Sequence, residues 1–231
     1  GCSEIIPPVF DYLPTFELTS TGENLRFFET RDADGERLSA RADLTVQVIK
    51  AAANGNLEGM SRLFYIQNVF KDSSWGAGNL REVMQAGVEL LGNQTGRFEE
   101  ILSLARRSLE ITGNKRSILY GDARFLDRLF SMVPDAIRSG IAESFHIKDT
   151  ASIAAVCRDA KIEKATASLL TEVPLIFGGT QALETLSRLC SPFPSLMEII
   201  AEAEKIKDVV YDFSLVRELS YYTGPVIEVY I

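Results

Sequence analysis

The chain has 231 residues, 46% of them hydrophobic, which suffices for one large domain with a real core. Its formal net charge of −8 argues against broad binding of nucleic acid, which needs a basic surface. Three widely spaced cysteines without a CxxC pair, and no apolar run near the roughly 18–20 residues of a membrane helix, predict a reduced, soluble, cytoplasmic protein.

Short strands and turns are predicted for the N-terminal part of the chain. The segment SEIIPPVF predicts a strand whose prolines suit an edge. In LRFFETRDADGERLSARADL, the turn dipeptide Asp34-Gly35 between two extended runs predicts a β-hairpin. Residues 44–53, LTVQVIKAAA, carry apolar side chains at helical spacing, so they predict a helix with Asp43 near its cap.

Two longer strands follow. RLFYIQNVF (62–70) is rich in aromatic and β-branched residues and predicts a strand. A glycine-rich polar loop, 71–82, leads to the next predicted strand, VMQAGVELLG (83–92).

Alternation along this last strand separates two sets of side chains. We expect the apolar set to face the core: Met84, Ala86, Val88 and Leu90. The other set presents Gln85 and Glu89 on either side of Gly87, which leaves open space above the sheet. An ordinary half-exposed sheet face fits the same alternation.

The pattern from residue 97 to 207 is mainly helical, with a strand in KRSILYGD and a short helix in ARFLDRLFSMV. The Gly178-Gly179-Thr180 step predicts a helix cap or tight turn, because it lacks the lysine and spacing of a phosphate loop. The chain then returns to strands, which we expect to rejoin the first sheet. These elements predict one α+β domain, 1–231, whose largely antiparallel sheet carries the helical insertion 97–207.

Few residues offer conventional catalytic chemistry. His146 is the single histidine, so neither a Ser-His-Asp triad nor a zinc site finds its partners, and we expect it on the surface. Cys157 and Cys190 lie in apolar helical stretches and are expected in the core. We therefore predict no metal and no cofactor.

Polar residues next to the strands form the remaining candidates. They are Asp43, Thr45, Arg81, Glu82, Gln85, Glu89, Arg217, Tyr221 and Tyr222. If the sheet brings them together, Asp43 and Glu89 can take an ammonium group while Arg217 pairs with a carboxylate, which describes an amino-acid pocket. Rim salt bridges, each contributing about 0–1 kcal/mol, are the alternative.

Four ordered segments carry a family resemblance: SEIIPPVFDY, LSARADLTVQV, RLFYIQNVFK…LREVMQAGVELLG and LVRELSYYTG. They resemble the motifs of the histidyl-tRNA synthetase catalytic domain, and they run from one end of the chain to the other. The resemblance implies a class II synthetase-like antiparallel sheet flanked by helices, with the helical block as the family's insertion. It also implies a dimer, no anticodon-binding domain in this chain, and a native protein longer at both ends.

The resemblance implies a histidine site at the matching positions. Its residues would be Asp43, Thr45, Gln85, Glu89, Arg217, Tyr221 and Tyr222. Arg217 would lie toward the carboxylate or reacting centre, and the tyrosines would surround the imidazole ring.

Two departures from the synthetase motifs concern adenylate formation. Lys71 stands where the synthetase has its ATP-clamping arginine, and lysine cannot reproduce that planar grip. Residues 217–220 read Arg-Glu-Leu-Ser in place of Arg-Gly-Leu-Asp. Lys71, Arg81 and Glu82 are therefore interpreted as vestigial ATP-site positions.

A synthetase-like chain with these losses resembles the regulatory subunits of ATP phosphoribosyltransferase, as does the stretch VPLIFGGTQALETLSRL. That resemblance implies a non-catalytic subunit acting in the first step of histidine biosynthesis. It would activate a short-form catalytic subunit, form a homodimer within a hetero-octamer, and contribute to feedback inhibition by free histidine. A histidyl-tRNA synthetase catalytic fragment and an amino-acid-sensing relative with another partner are the alternatives.

Overall fold

The computed structural model describes residues 1–17, 26–57, 59, 62–70, 80–92, 96–112, 117–215 and 222–230. These residues divide into two compact units, the first from residue 1 to 101 and the second from residue 102 onward. The prediction of one domain with an insertion stays a prediction.

Both units contain strands and helices. The first contains β1 (Ser3–Glu4), β2 (Phe10–Tyr12), α1 (Leu13–Glu17), β3 (Glu29–Arg31), β4 (Arg37–Ala40), α2 (Thr45–Ala53), β5 (Arg62–Phe70) and β6 (Glu82–Leu90), and α3 (Arg97–Thr112) begins in it. The second contains β7 (Ser117–Asp122), α4 (Ala123–Ser131), α5 (Asp135–His146), α6 (Thr150–Asp159), α7 (Lys164–Glu172), a 3-10 turn (Val173–Leu175), β8 (Phe177–Gly178), α8 (Thr180–Cys190), α9 (Pro194–Ala203), β9 (Val210–Asp212) and β10 (Pro225–Tyr230).

Two sheets build the first unit. In the order β1-β5-β6, β1 pairs in parallel with β5, and β5 pairs antiparallel with β6 along the whole length of both strands. The other sheet has the antiparallel order β2-β4-β3. The β3–β4 hairpin turns at Gly35, whose φ of 89° suits glycine, so the predicted hairpin is confirmed.

The residue that precedes α2 packs against β5. Leu44, Tyr65 and Val69 form a buried cluster, with Ile5 packed against it. Asp43 Oδ2 accepts a hydrogen bond from the Val46 amide at 3.2 Å, which satisfies one free donor at the start of the helix. The predicted helix and the position of Asp43 are confirmed.

A buried arginine ties the N-terminal segment to β5. The Arg41 guanidinium donates to the backbone oxygens of Pro7 and Asn68, both at 2.6 Å, and to Gln67 Oε1 at 3.1 Å. These three bonds satisfy a cation that would otherwise be costly to bury.

The second unit has a four-stranded sheet in the order β10-β7-β9-β8. β10 pairs antiparallel with β7 over six residues, and β9 lies parallel to β7. The expectation that the last strands rejoin the first sheet is therefore wrong for both β9 and β10, because β7, from within the helical block, pairs with each of them. A Cβ on Gly121 would lie 2.7 Å from the Asp212 backbone oxygen, so glycine permits the close approach of β7 and β9.

Apolar helix faces fill the core of the second unit. Its most buried side chains include Phe125, Leu129, Ile141, Phe145, Ile153, Leu169, Leu170, Leu186 and Ile200. Cys157 and Cys190 lie among them as predicted, and burial raises the pKa of the Cys190 thiol to about 12. His146 is exposed at the end of α5, also as predicted.

Two buried acids of the second unit have cationic partners. Asp122 caps α4 by accepting from the Arg124 amide at 2.9 Å, and the Arg124 guanidinium bonds to Asp122 Oδ2 at 2.7 Å and to Glu202 Oε2 at 2.6 Å. Asp212 accepts from the Ser214 amide at 2.9 Å and from Lys148 Nζ at 3.4 Å. Each carboxylate is thus compensated within the fold.

Among the described helices, none is long and apolar enough to cross a membrane.

Candidate amino-acid site

The β5–β6 register separates two faces of this sheet. The site face carries Leu63, Tyr65, Gln67 and Val69 of β5 opposite Glu89, Gly87, Gln85 and Val83 of β6. The opposite face carries Phe64, Ile66, Asn68 and Phe70 opposite Val88, Ala86, Met84 and Glu82.

The predicted orientation of β6 is wrong. Met84, expected in the core, is 71% exposed, and its neighbour across the strand pair on the same face, Ile66, is 54% exposed. The site face is instead the one that packs on α2, because Tyr65 and Val69 supply the apolar area that meets Leu44.

Glu89 is held by two hydroxyl groups. Thr45 Oγ1, at the start of α2, donates to Glu89 Oε1 at 2.7 Å, and the Tyr65 hydroxyl donates to the same oxygen at 3.4 Å. Burial raises the pKa of the Glu89 carboxyl, the two hydroxyl hydrogen bonds lower it, and the nearby Asp43 carboxylate raises it further. Together, these effects leave the pKa of the Glu89 carboxyl above the ordinary glutamate value.

Tyr65 occupies the space above Gly87. A Cβ on Gly87 would lie 2.3 Å from both Cζ and the hydroxyl oxygen of Tyr65. The expectation of open space above this glycine is therefore wrong, because the tyrosine of the neighbouring strand fills it. Burial, followed by the Glu89 charge, raises the pKa of the Tyr65 hydroxyl well above its usual range, so it remains a proton donor at neutral pH.

Three predicted site residues meet here. Asp43 and Thr45 lie at the start of α2, and Glu89 lies on the adjoining site face. Asp43 acts on Glu89 through its charge, and Thr45 acts through a direct hydrogen bond.

Gln85 shares the site face but does not join this group. It lies directly opposite Gln67, whose side chain accepts from Arg41. Four residues of extended strand separate it from Glu89, a distance of about 13 Å. Any ligand contacting both Gln85 and Glu89 would have to span the position of Gly87.

The predicted vestigial ATP positions lie apart from Glu89 or outside the described residues. The Arg81 guanidinium lies 5.9 Å from the centre of the Phe28 ring. Glu82 is on the opposite face, where its Oε1 accepts from Asn68 Nδ2 at 2.6 Å. Lys71 lies outside the described residues.

The segment LVRELSYYTG, residues 215–224, lies partly outside the described residues. Arg217 and Tyr221 lie outside the described residues. Tyr222 belongs to the second unit and is partly exposed. Their predicted roles stay predictions.

The chemistry of the Glu89 group suits a ligand that donates hydrogen bonds. Among the described residues, none forms a salt bridge with Glu89, and its Oε2 atom accepts no hydrogen bond from them. A carboxyl in this environment can accept an N–H from an ammonium group or an imidazole ring. Within the described part of the chain, no cluster of His, Cys, Asp and Glu could hold a metal ion.

Sequence analysis missed the role of Tyr65. Pairing the two predicted strands could have indicated it. The antiparallel register aligns Tyr65 with Gly87, and this places the aromatic ring over a glycine. The contact crosses between strands, so the periodicity of either strand alone does not show it.

A known family matches the whole chain. The family model described as histidyl-tRNA synthetase matches residues 1–231.

Curated relatives include regulatory subunits of ATP phosphoribosyltransferase and a histidine–tRNA ligase. The ATP phosphoribosyltransferase regulatory subunit of Thermoanaerobacter pseudethanolicus is 30% identical, and the match covers 100% of this chain and 64% of that protein. The protein of the same name from Leptospira interrogans is 28% identical, with 100% and 73% coverage. The histidine–tRNA ligase of Methanosarcina acetivorans is also 28% identical, with 100% and 57% coverage. The chain thus spans less than two thirds of the first relative's length.

Solved structures share the fold. An ATP phosphoribosyltransferase regulatory subunit/histidyl-tRNA synthetase from Bacillus halodurans superposes with a TM-score of 0.84 at 23% identity, covering 100% of this chain and 64% of that one. The ATP phosphoribosyl transferase (HisG:HisZ) complex from Thermotoga maritima gives a TM-score of 0.69 at 18% identity, with 100% and 81% coverage. The predicted class II synthetase-like fold is confirmed.

Proposed function

Because the chain belongs to the histidyl-tRNA synthetase family, we propose that it is a regulatory subunit of ATP phosphoribosyltransferase that binds histidine at Glu89. It has no catalysis of its own. It acts in the cytoplasm, in the first step of histidine biosynthesis, by activating a short-form catalytic subunit and transmitting feedback inhibition by histidine.

The observation that carries this proposal is the state of Glu89. Thr45 and Tyr65 hold the carboxyl through neutral hydroxyls, and no described residue forms a salt bridge with it. A carboxyl held in this way can accept further hydrogen bonds from an N–H donor, so the arrangement supports the proposal of an amino-acid site. The names of the relatives from Thermoanaerobacter and Leptospira support the choice of ATP phosphoribosyltransferase as partner.

Assembly follows from the same proposal. The chain forms a homodimer within a hetero-octamer that contains the short-form catalytic subunit. Its net charge of −8 fits a protein partner better than tRNA.

Calorimetric titration of histidine tests the ligand. We expect micromolar binding, about −8 kcal/mol, that is lost in Glu89→Gln because the amide cannot supply the second acceptor oxygen. Glu99→Gln is the matched control, since Glu99 is an exposed residue in the first turn of α3. Equal loss of binding in both variants would contradict the assignment of the site.

Two activity measurements test the role. Added to a short-form catalytic subunit, the protein should raise phosphoribosyl transfer and make it sensitive to histidine, and Glu89→Gln should retain the activation but lose the histidine response. Robust histidine-dependent exchange between ATP and pyrophosphate by the protein alone would overturn the proposal in favour of a histidyl-tRNA synthetase, the activity named for the Methanosarcina relative.

A further inference from the structure

Both hydroxyl groups near Glu89 donate hydrogen bonds to the same carboxyl oxygen. Thr45 and Tyr65 donate to Oε1, at 2.7 and 3.4 Å. Oε2 accepts nothing from the described residues. Among the described residues, the hydrogen bonds to this carboxyl are therefore confined to Oε1.

Packing, and not the hydrogen bond, fixes the Tyr65 hydroxyl. The residue is 3% exposed and belongs to the buried cluster with Leu44 and Val69. Its ring crosses onto β6 only because Gly87 has no side chain, since a Cβ there would overlap the end of the ring. A side chain held this firmly can orient a neighbour at little entropic cost.

Thr45 approaches the same oxygen from a different element. It is the first residue of α2, and the start of this helix is itself capped by Asp43. The two donors thus come from a helix terminus and a strand that pack against each other, so Glu89 Oε1 is fixed relative to both.

We propose that Tyr65 is a positioning residue of the amino-acid site: with Thr45 it clamps Oε1 of Glu89, so that Oε2 faces an N–H group of the bound ligand. Gly87 is the residue that permits this arrangement. The identity of the ligand as histidine rests on the proposed function, whereas the clamp on Glu89 exists in the free protein.

Removing one of the two hydroxyl donors should change the pKa of the Glu89 carboxyl. A hydroxyl that donates to a carboxylate favours its charged form, so loss of the hydroxyl raises the pKa of the carboxyl further. Thr45→Val should have a larger effect than Tyr65→Phe, because the threonine bond is shorter.

The first test follows the side-chain carboxyl carbons by ¹³C NMR during a pH titration of the ligand-free protein. In Tyr65→Phe the Glu89 midpoint should rise by about 0.5 pH unit, and in Thr45→Val by about 1. Tyr12→Phe is the matched control, because Tyr12 is an exposed tyrosine of the same unit and should leave the midpoint unchanged. An unchanged midpoint in Tyr65→Phe would overturn the proposal.

The second test measures histidine affinity. Tyr65→Phe, which keeps the ring over Gly87, should weaken binding about 3- to 10-fold at pH 7, the range expected for a modest hydrogen bond. Gly87→Ala should weaken it as well, although both hydroxyls remain in the chain, because the new Cβ displaces the ring. Tyr12→Phe should bind like the unmodified protein.

The two tests separate the proposals. If the unmodified protein binds no histidine but Tyr65→Phe shifts the Glu89 midpoint, the proposed function fails and the clamp stands. If histidine binds and Tyr65→Phe alters neither the midpoint nor the affinity, the clamp fails and the proposed function stands. Circular dichroism shows whether each variant is folded. If Gly87→Ala does not fold, the conservative variant Tyr65→Phe alone tests the proposal.

Discussion

The half-buried Glu89 of the first unit differs from the two buried acids of the second unit. In the second unit, Asp122 and Asp212 each bond to a cation of the same unit, Arg124 and Lys148 respectively. In the first unit, Glu89 bonds to hydroxyl groups, and no described residue forms a salt bridge with it. Asp122 and Asp212 are thus paired with cations, whereas Glu89 Oε2 accepts no hydrogen bond from the described residues, as the proposed ligand site requires.

The difference has an energetic consequence. Burying a carboxylate is costly, and a nearby cation or several hydrogen bonds offset the cost. The second unit offsets it internally. At Glu89 of the first unit, the cost of burying the carboxylate is only partly offset, so burial raises the pKa of this carboxyl. Such incomplete compensation is typical of binding sites and atypical of structural ion pairs.

Removing a compensated acid should have the largest effect. Asp122→Ala leaves Arg124 without its buried partner and removes the cap of α4, so we expect the free energy of unfolding to fall by about 3–4 kcal/mol. Urea denaturation measures it. Glu202→Ala removes the exposed partner of the same arginine and should cost about 1 kcal/mol or less. Similar losses in the two variants would show that burial of the Asp122 carboxylate does not make it a more important partner of Arg124 than the exposed Glu202.

Two glycine substitutions sharpen the comparison. A Cβ on Gly121 would meet the Asp212 backbone oxygen, which cannot move without breaking the sheet, whereas a Cβ on Gly87 would meet the end of a tyrosine ring. We expect Gly121→Ala to lower the free energy of unfolding by about 3 kcal/mol and Gly87→Ala by about 1–2 kcal/mol. The reverse order would show that the Tyr65 ring is held more rigidly than a strand backbone.

The smallest expected change in the free energy of unfolding is the pH-dependent difference between Glu89→Gln and the parent protein. The folded-state pKa of Glu89 is raised, so the unfolded chain loses this proton first, and the carboxyl lowers stability as pH rises above about 4.3. The glutamine variant is free of this penalty. Its free energy of unfolding relative to the parent protein should therefore increase from pH 4 to pH 8.

Parallel denaturation series at several pH values measure that difference. Glu99→Gln supplies the reference, since its carboxyl is exposed. A difference between Glu89→Gln and the parent that stays constant with pH would show that Glu89 is compensated like the acids of the second unit.

Local pattern was enough to predict several elements of the first unit. β5 occupies the predicted residues, and α2 begins where Asp43 indicated. The Asp34-Gly35 turn was equally clear. Each of these depends on neighbouring residues, whose preferences the sequence shows directly.

Contacts between residues far apart in the sequence determined the features that the local sequence pattern did not predict. Alternation along β6 separates two faces but does not say which is covered, and Tyr65 of the neighbouring strand reversed the expected orientation. The partner of β10 depended in the same way on β7, about 100 residues earlier. Asp43, Thr45 and Glu89 were named in advance, but the tyrosine that donates to Glu89 was not.

The pairing of β7 with β9 joins segments about 90 residues apart, with the helices α4 to α9 between them. Closing such a long loop costs entropy before any strand contact is gained. Helices with neighbouring partners, such as α6 and α7, face no such delay. Refolding should therefore restore the far-ultraviolet helix signal before the near-ultraviolet signal of Tyr120, which packs against Tyr211 across the strand pair at 5.9 Å. The sheet of the second unit should be the last part of it to form, and the step most exposed to aggregation during synthesis.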